Sequence, residues 1–286
     1  MNRKNSHIDP FSPAVHRGRR RLIRWIKVLL LLYGVAGIAL YYLQESLLFH
    51  PVPVDRQAKY RFNQPFTELN IPYDRETNLN IIRFRPTGDG IPKGVVLYFH
   101  GNRDNVSWYA HYAANFTDKG YELWMMDYPG FGKSTGRLTE RNLYTYALVL
   151  YKLARSQYKP AQIIIYGKSL GTGIAAELAA VRDCKRLILE CPYFSMVSMA
   201  RHYLPIYPVD AMLHYKFPTN DYLPEVTAPL AIFHGTRDGL IPYSNAERLK
   251  PLLKPGDEFI TIEGGSHNNL NEFPLFHQKL DSLLRD

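Results

Sequence analysis

Five residues, Gly167-Lys168-Ser169-Leu170-Gly171, constrain this chain more than any other stretch. They follow the apolar run IIIY at 163–166 and open the alanine-rich helical pattern GTGIAAELAA. A chain passes from strand to helix in so few residues only through a tight turn, and the two glycines clear room for one. Such a turn holds the Ser169 hydroxyl exposed at a helix N-terminus, where it can act as a nucleophile. A glycine-rich turn with a capping serine would read the same way, so the weight falls on partners elsewhere in the chain.

Short apolar runs, many of them β-branched or aromatic, recur at 79–84, 95–99, 123–127, 163–166, 187–190, 230–234 and 259–262. Helical patterns lie between most of them, at 104–119, 140–157, 170–182, 243–253 and 272–284. Near-continuous apolar strands alternating with helices predict an α/β fold whose mostly parallel sheet is covered on both faces. Residues 193–228 break the alternation, being rich in aromatics, Met and Pro without a strand. They read as a small cap inserted above the strand ends, where ligands bind in such sheets.

Two loops supply partners for the serine. HGTRDGLIP at 234–242 ends the strand LAIF, and Asp238 there is placed to orient a histidine and stabilise its charged form. EGGSHNN at 263–269 follows the strand FITI, and His267 can take the serine proton and hand it to a leaving group. Of the ten histidines, His267 alone follows the acid on a glycine-rich strand-end loop. The run GVVLYFHGN at 94–102 ends in a His-Gly turn, so the backbone N–H of Asn102, or of neighbouring Arg103, pairs with that of Leu170 as an oxyanion-binding set. Lys168 reads as a solvated lysine beside the serine.

The formal charge of +9 invites a nucleic-acid reading until it is located. Residues 1–27 hold eight Lys/Arg against Asp9, leaving 27 basic and 25 acidic residues for the rest of the chain. No basic groove is needed, and nucleic acid is not an expected partner. After this cluster, VLLLLYGVAGIALYYL at 28–43 carries no charge. Counted from Leu22, the stretch spans about 33 Å as a helix, enough for a hydrocarbon core of about 30 Å if Arg24 and Lys27 snorkel. The expected organisation is therefore a basic cytoplasmic N-terminus at 1–21, a transmembrane helix at 22–43, a proline-containing linker at 44–65 and a catalytic domain at 66–286. The arginine-rich flank keeps the N-terminus inside and places the domain on the non-cytoplasmic side, the periplasmic face of the inner membrane if the source is bacterial. Gly34 and Ala36 could mark a signal-peptide cleavage site, but the apolar run continues past them.

Cys184 and Cys191 flank an apolar strand, which holds them too far apart for a disulfide and offers no metal set. FGKS at 131–134 lacks the glycine that a phosphate-binding loop requires five positions earlier, and Asp127, Gly130 and Gly132 instead read as a shaped turn near the serine.

Taken together, GKSLG, FHGN, DYPGFGKS at 127–134, HGTRDGLIP and GGSHNN resemble the α/β-hydrolase superfamily, and more closely its Bem46-like membrane-anchored branch. The resemblance covers roughly residues 66–286. It implies an eight-stranded, mostly parallel sheet with Ser169 as nucleophile, Asp238 as acid and His267 as base. Ser266 departs from the glycine that often precedes the histidine. No metal or organic cofactor is implied. The activity expected is that of a carboxylesterase or acyl thioesterase, acting on an acyl ester, thioester or lipid substrate. Tyr193, Phe194 and Met199 are the expected substrate contacts. Two other classes use the same residues: a serine peptidase or amidase, and a catalytically silent binding protein.

Overall fold

The computed structural model describes residues 13–88 and 90–285, so most of the basic N-terminal segment before Pro13 lies outside the described residues. The chain divides into two compact units, one ending at Leu47 and one running from Leu48 to Asp286. In the first, helix α1 (Pro13–Leu48) holds a candidate membrane span at Gly18–Leu48, with a mean hydropathy of 2.0 over its most apolar window and none of that window buried. It is long enough to cross a bilayer. It continues five residues past the expected end at 43, because Gln44, Glu45 and Ser46 are all compatible with helix. It stops where Pro51 disfavours helical backbone at the residue before it, and His50 is already extended.

The second unit is a sandwich of helices around one sheet. Its strands are β1 (Phe66–Pro72), β2 (Asn78–Phe84), β3 (Gly94–Phe99), β4 (Tyr121–Met126), β5 (Ile163–Lys168), β6 (Arg186–Glu190), β7 (Leu230–Gly235) and β8 (Glu258–Ile262). They lie side by side in the order β1-β2-β4-β3-β5-β6-β7-β8, eight strands as the resemblance implies. Strand β2 runs against both its neighbours, and every other pairing is parallel. Strand β1 has no counterpart in the sequence reading. Its residues FTELNIP mix polar with apolar and are half-exposed, as suits an edge strand, and they open the domain expected from residue 66 onward.

Each central strand is buried on both faces, which its apolar runs require. Val95, Leu97 and Phe99 pack with Ile163 and Ile165 into one core, while Val96 and Tyr98 pack with Ile164 and Tyr166 into the other. The first core is closed by helices α2 (Glu140–Arg155) and α3 (Gly171–Val181), and the second by α5 (Pro274–Arg285) and the short helical turns between 106 and 117. Each buried Leu, Ile or Phe contributes about 1.5–3 kcal/mol. Between β6 and β7, over the stretch expected as a cap, the chain makes α4 (Met196–Tyr203) and further one-turn helices without a strand. Tyr215, Phe217, Leu223 and Val226 of this insertion belong to the α2/α3 core, so much of it clasps that face of the sheet rather than hanging over the strand ends.

The stretch expected as a linker at 44–65 needs correction. Phe49 is 3% exposed and stands against Tyr215 and Phe131. His50–Pro51 pairs in parallel with Arg103–Asp104, and Pro53 bridges Gly132. The three prolines remove sustained periodicity but leave enough donors and acceptors for a packed strap.

Candidate active site

The site lies at the carboxyl ends of β3, β5, β6, β7 and β8, where the parallel arrangement delivers five loops to one edge. Ser169 sits between β5 and α3 with φ 53°, a left-handed conformation costing about 1–3 kcal/mol for a non-glycine residue. Both glycines are obligatory there. A Cβ on Gly167 would lie 2.5 Å from the Gly171 carbonyl, and one on Gly171 would lie 2.1 Å from that of Phe99. The turn is pinned by the Ser169 N–H donating to the Glu190 carbonyl at 2.9 Å.

The three residues expected to act together come together. The Oγ of Ser169 is 2.9 Å from Nε2 of His267, and Nδ1 of His267 is 2.7 Å from Oδ2 of Asp238. Glycines make this meeting possible. A Cβ on Gly235 would fall 2.2 Å from the Gly265 carbonyl, so the acid and histidine loops touch backbone to backbone. The Arg237 N–H donates to that carbonyl and the Thr236 N–H to that of Ile262. Asp238 spends Oδ1 on the N–H groups of Leu240 and Ile241 at 2.9 and 2.8 Å, leaving Oδ2 for His267. Burial pushes the Asp238 carboxyl upward, but the His267 hydrogen bond and charge and the Ile241 amide outweigh it and hold the group below the usual aspartate range. Nearby His234 is fully buried, and its Nε2 donates to the Ile241 carbonyl at 3.0 Å. Burial depresses its pKa below the ordinary histidine value.

The His-Gly turn after β3 abuts the serine: a Cβ on Gly101 would lie 3.6 Å from Ser169 Cβ. The turn that carries Asn102 thus lies against the serine turn, and Leu170, the other expected oxyanion donor, stands at the N-terminus of α3. Arg103 stands opposite His50 of the strap in the parallel register. Asp127 accepts the Val106 N–H at 2.8 Å, while Gly130 and Gly132 take positive φ, so DYPGFG is the turn it was read to be.

Two assignments change. Lys168 is not solvated: it is 2% exposed and its Nζ hydrogen-bonds the carboxylate of Glu190, which also accepts from the Tyr166 hydroxyl. Burial lowers its pKa, but the Glu190 charge more than restores it and holds it above the usual lysine value. A glutamate ending the otherwise apolar strand LILE was the available signal for this pair. Tyr193 is 1% exposed and donates to the Leu170 carbonyl at 3.1 Å, so it braces the serine turn from behind. Met199 is also buried, while Phe194 is half-exposed beneath the Arg248 guanidinium.

Sequence reading also missed Cys191, which has φ 51° and directs Sγ to the His267 carbonyl at 3.7 Å. One ligand atom each from Cys191, Asp238 and His267 lies within 4.8 Å of the others. The thiol is fully buried, burial pushes its pKa well up, and Nδ1 of His267 is committed to Asp238, so the trio is poorly suited to hold a cation. Both cysteines are free.

Residues 90–220 match a family described as Serine aminopeptidase, S33. This span includes Ser169 and stops short of Asp238 and His267. Alpha/beta hydrolase domain-containing protein 17C of Xenopus tropicalis is 30% identical over 193 residues, 66% of this chain and 61% of that protein. Human Alpha/beta hydrolase domain-containing protein 17B is 29% identical over 196 residues, 67% of this chain and 66% of that protein. The chain thus spans about three fifths of the length of the first of these relatives. Among solved structures, Est1E from Butyrivibrio proteoclasticus with ferulic acid bound superposes with a TM-score of 0.62 at 19% identity, over 73% of this chain and 95% of that one. An α/β hydrolase from Vibrio vulnificus gives 0.63 at 20% identity, over 77% and 80%. At such identities these two speak for the fold.

Proposed function

We propose that this chain, which belongs to the α/β-hydrolase superfamily, is a membrane-anchored serine hydrolase cleaving carboxylic ester or thioester bonds of acyl or lipid-like substrates. The observation that carries the reading is the unbroken chain of contacts Ser169 Oγ to His267 Nε2, and His267 Nδ1 to Asp238 Oδ2.

In this reading His267 removes the serine proton as Oγ attacks the acyl carbonyl, and Asp238 holds the ring and balances the charge it gains. The N–H groups of Leu170 and Asn102 receive the developing oxyanion. His267 then protonates the departing alcohol or thiol, leaving an acyl-enzyme. Water, activated by the same histidine, releases the acid and regenerates Ser169. The exposed apolar helix α1 supports anchoring, with its basic N-terminal flank on the cytoplasmic side and the domain on the other. A bilayer partner also suits acyl substrates.

An amidase or peptidase would use identical groups, and the description of the matched family favours keeping that reading in view. A fluorophosphonate probe separates hydrolase from silent scaffold, because it labels the wild-type chain and should fail on Ser169→Ala. Turnover of p-nitrophenyl butyrate should fall by roughly four to six powers of ten in Ser169→Ala and His267→Ala, with the double variant hardly worse. Asp238→Asn should be severely impaired. Equal labelling of wild type and Ser169→Ala would sink the proposal, and faster cleavage of an aminoacyl anilide than of matched esters would favour the peptidase.

A further inference from the structure

Resting on that hydrolase reading, we propose that Leu48–Val54 is a positioning strap for the oxyanion turn, and that turnover depends on its grip on Asn102. The strap holds this residue at both of its polar ends. The Asn102 carbonyl accepts the His50 N–H at 2.8 Å, and Asn102 Nδ2 donates to the Leu48 carbonyl at 2.5 Å. Fixing the carbonyl and the side chain together leaves the backbone of Asn102 little freedom.

The peptide carrying the Asn102 N–H is held from its other side as well. His100 Nδ1 lies 2.7 Å from the Gly101 carbonyl oxygen and donates to it. In a trans peptide the carbonyl and the next N–H point in opposite directions, so this bond aims the Asn102 N–H away from His100. Gly101, against Ser169, has no room for a side chain: a Cβ there would come within 2.6 Å of the Tyr109 hydroxyl.

Beyond Asn102 the strap continues. The Val52 N–H donates to the Asp104 carbonyl at 3.3 Å, and the Val52 carbonyl accepts from Asn105 Nδ2 at 2.8 Å and the Gly132 N–H at 3.0 Å. Val54 N–H returns to the Gly132 carbonyl at 2.7 Å. The strap therefore ties the oxyanion turn to the DYPGFG turn, with Phe49 buried as its anchor. Asp104 stands at φ 58°, a conformation that persists in a non-glycine residue only where its surroundings over-determine it. An oxyanion donor stabilises the transition state far more than bound substrate, and a displacement of about 1 Å costs on the order of 10²-fold. Loosening the strap should accordingly lower kcat and spare KM.

The test compares His50→Pro, which deletes the N–H bound to Asn102, with His50→Ala, which keeps it, in the full-length chain. On p-nitrophenyl butyrate, His50→Pro should lose about 10- to 100-fold in kcat with KM within about twofold. Affinity for a boronic-acid transition-state analogue should fall by the same factor, and the pH profile should keep its shape. His50→Ala should match wild type. A folded His50→Pro with wild-type kcat and analogue affinity, or one changed in KM alone, overturns the proposal. Should His50→Pro not fold, Asn102→Ala keeps the backbone N–H but releases Leu48, and it should show the same paired loss. Wild-type values there overturn the strap equally. Undiminished turnover in Ser169→Ala refutes the hydrolase reading itself, whereas loss in Ser169→Ala with both strap variants unaffected refutes only the strap.

Discussion

The Ser169 N–H donates to the Glu190 carbonyl at 2.9 Å, which ties the strained serine at the end of β5 to the end of β6. The Glu190 side chain extends the tie, since its carboxylate binds Lys168 and the Tyr166 hydroxyl, and Lys168 Nζ also reaches the His267 carbonyl at 3.5 Å. One glutamate thus meets the serine turn through its backbone and the histidine loop through a lysine.

Removing one member of this pair leaves a buried charge without its partner, which costs about 3–5 kcal/mol. Lys168→Met should therefore lower unfolding stability in urea by about that amount. Lys168→Met combined with Glu190→Gln removes both charges and keeps an acceptor for Tyr166, so the double variant should be more stable than Lys168→Met alone. A Lys168→Met variant within about 1 kcal/mol of wild type would show that stranding the Glu190 charge carries no such cost.

Acid should destabilise the domain in two stages. The folded pKa of His234 is depressed below its ordinary 6.5 by burial, so as pH falls below that value the unfolded chain takes the proton first and stability drops. Asp238, held below its ordinary 3.8 against the pull of burial, contributes stability that is present above that value and is lost as pH falls through its lower folded pKa. Thermal melts between about pH 7.5 and 5 should show the first stage, and His234→Gln should flatten it. An unchanged slope in that variant would assign the first stage to another group.

Sheet and site were legible in the sequence for different reasons. Six strands are runs buried on both faces, such as IIIY and LAIF, whose apolar continuity no loop would carry, and the edge strand β8 keeps the apolar run FITI. Ser169, Asp238 and His267 each stand on a strand-end loop punctuated by glycine, so a short local window carries both the residue type and the geometry. The strap at 48–54 reads as a linker because its order comes from backbone bonds to residues about fifty to eighty positions away, which leave no periodic trace. Lys168 was misread for a related reason: its environment is fixed by Glu190, a partner that strand pairing supplies through the register Lys168↔Glu190. Asn105, which no sequence pattern singles out, is buried, caps the Val106–Tyr109 turn and binds Val52.

The basic residues before the apolar stretch should set its orientation. A reporter fused after Asp286 should be active only on the non-cytoplasmic side. Exchanging Arg17, Arg19, Arg20, Arg21 and Arg24 for glutamine should weaken that preference. Cytoplasmic protease reaching a C-terminal tag in the unmodified protein would reverse the orientation while leaving the chemistry untouched.

Substrate preference follows from the insertion between β6 and β7. Tyr193 and Met199 are buried in packing, so Phe194, half-exposed below Arg248, is the expected pocket residue left accessible to an acyl chain. Each buried methylene contributes about 0.8 kcal/mol, and four of them about 3 kcal/mol, or roughly 150-fold in catalytic efficiency. Efficiency on p-nitrophenyl esters or acyl thioesters should rise from acetyl toward octanoyl, measured below micelle-forming concentrations. Phe194→Ala should flatten that rise more than it lowers acetyl hydrolysis, since an acetyl group has far less apolar surface to bury than an octanoyl chain. A steady fall with chain length would remove the acyl-chain reading, leaving an enzyme for small esters whose insertion serves only to clasp the sheet.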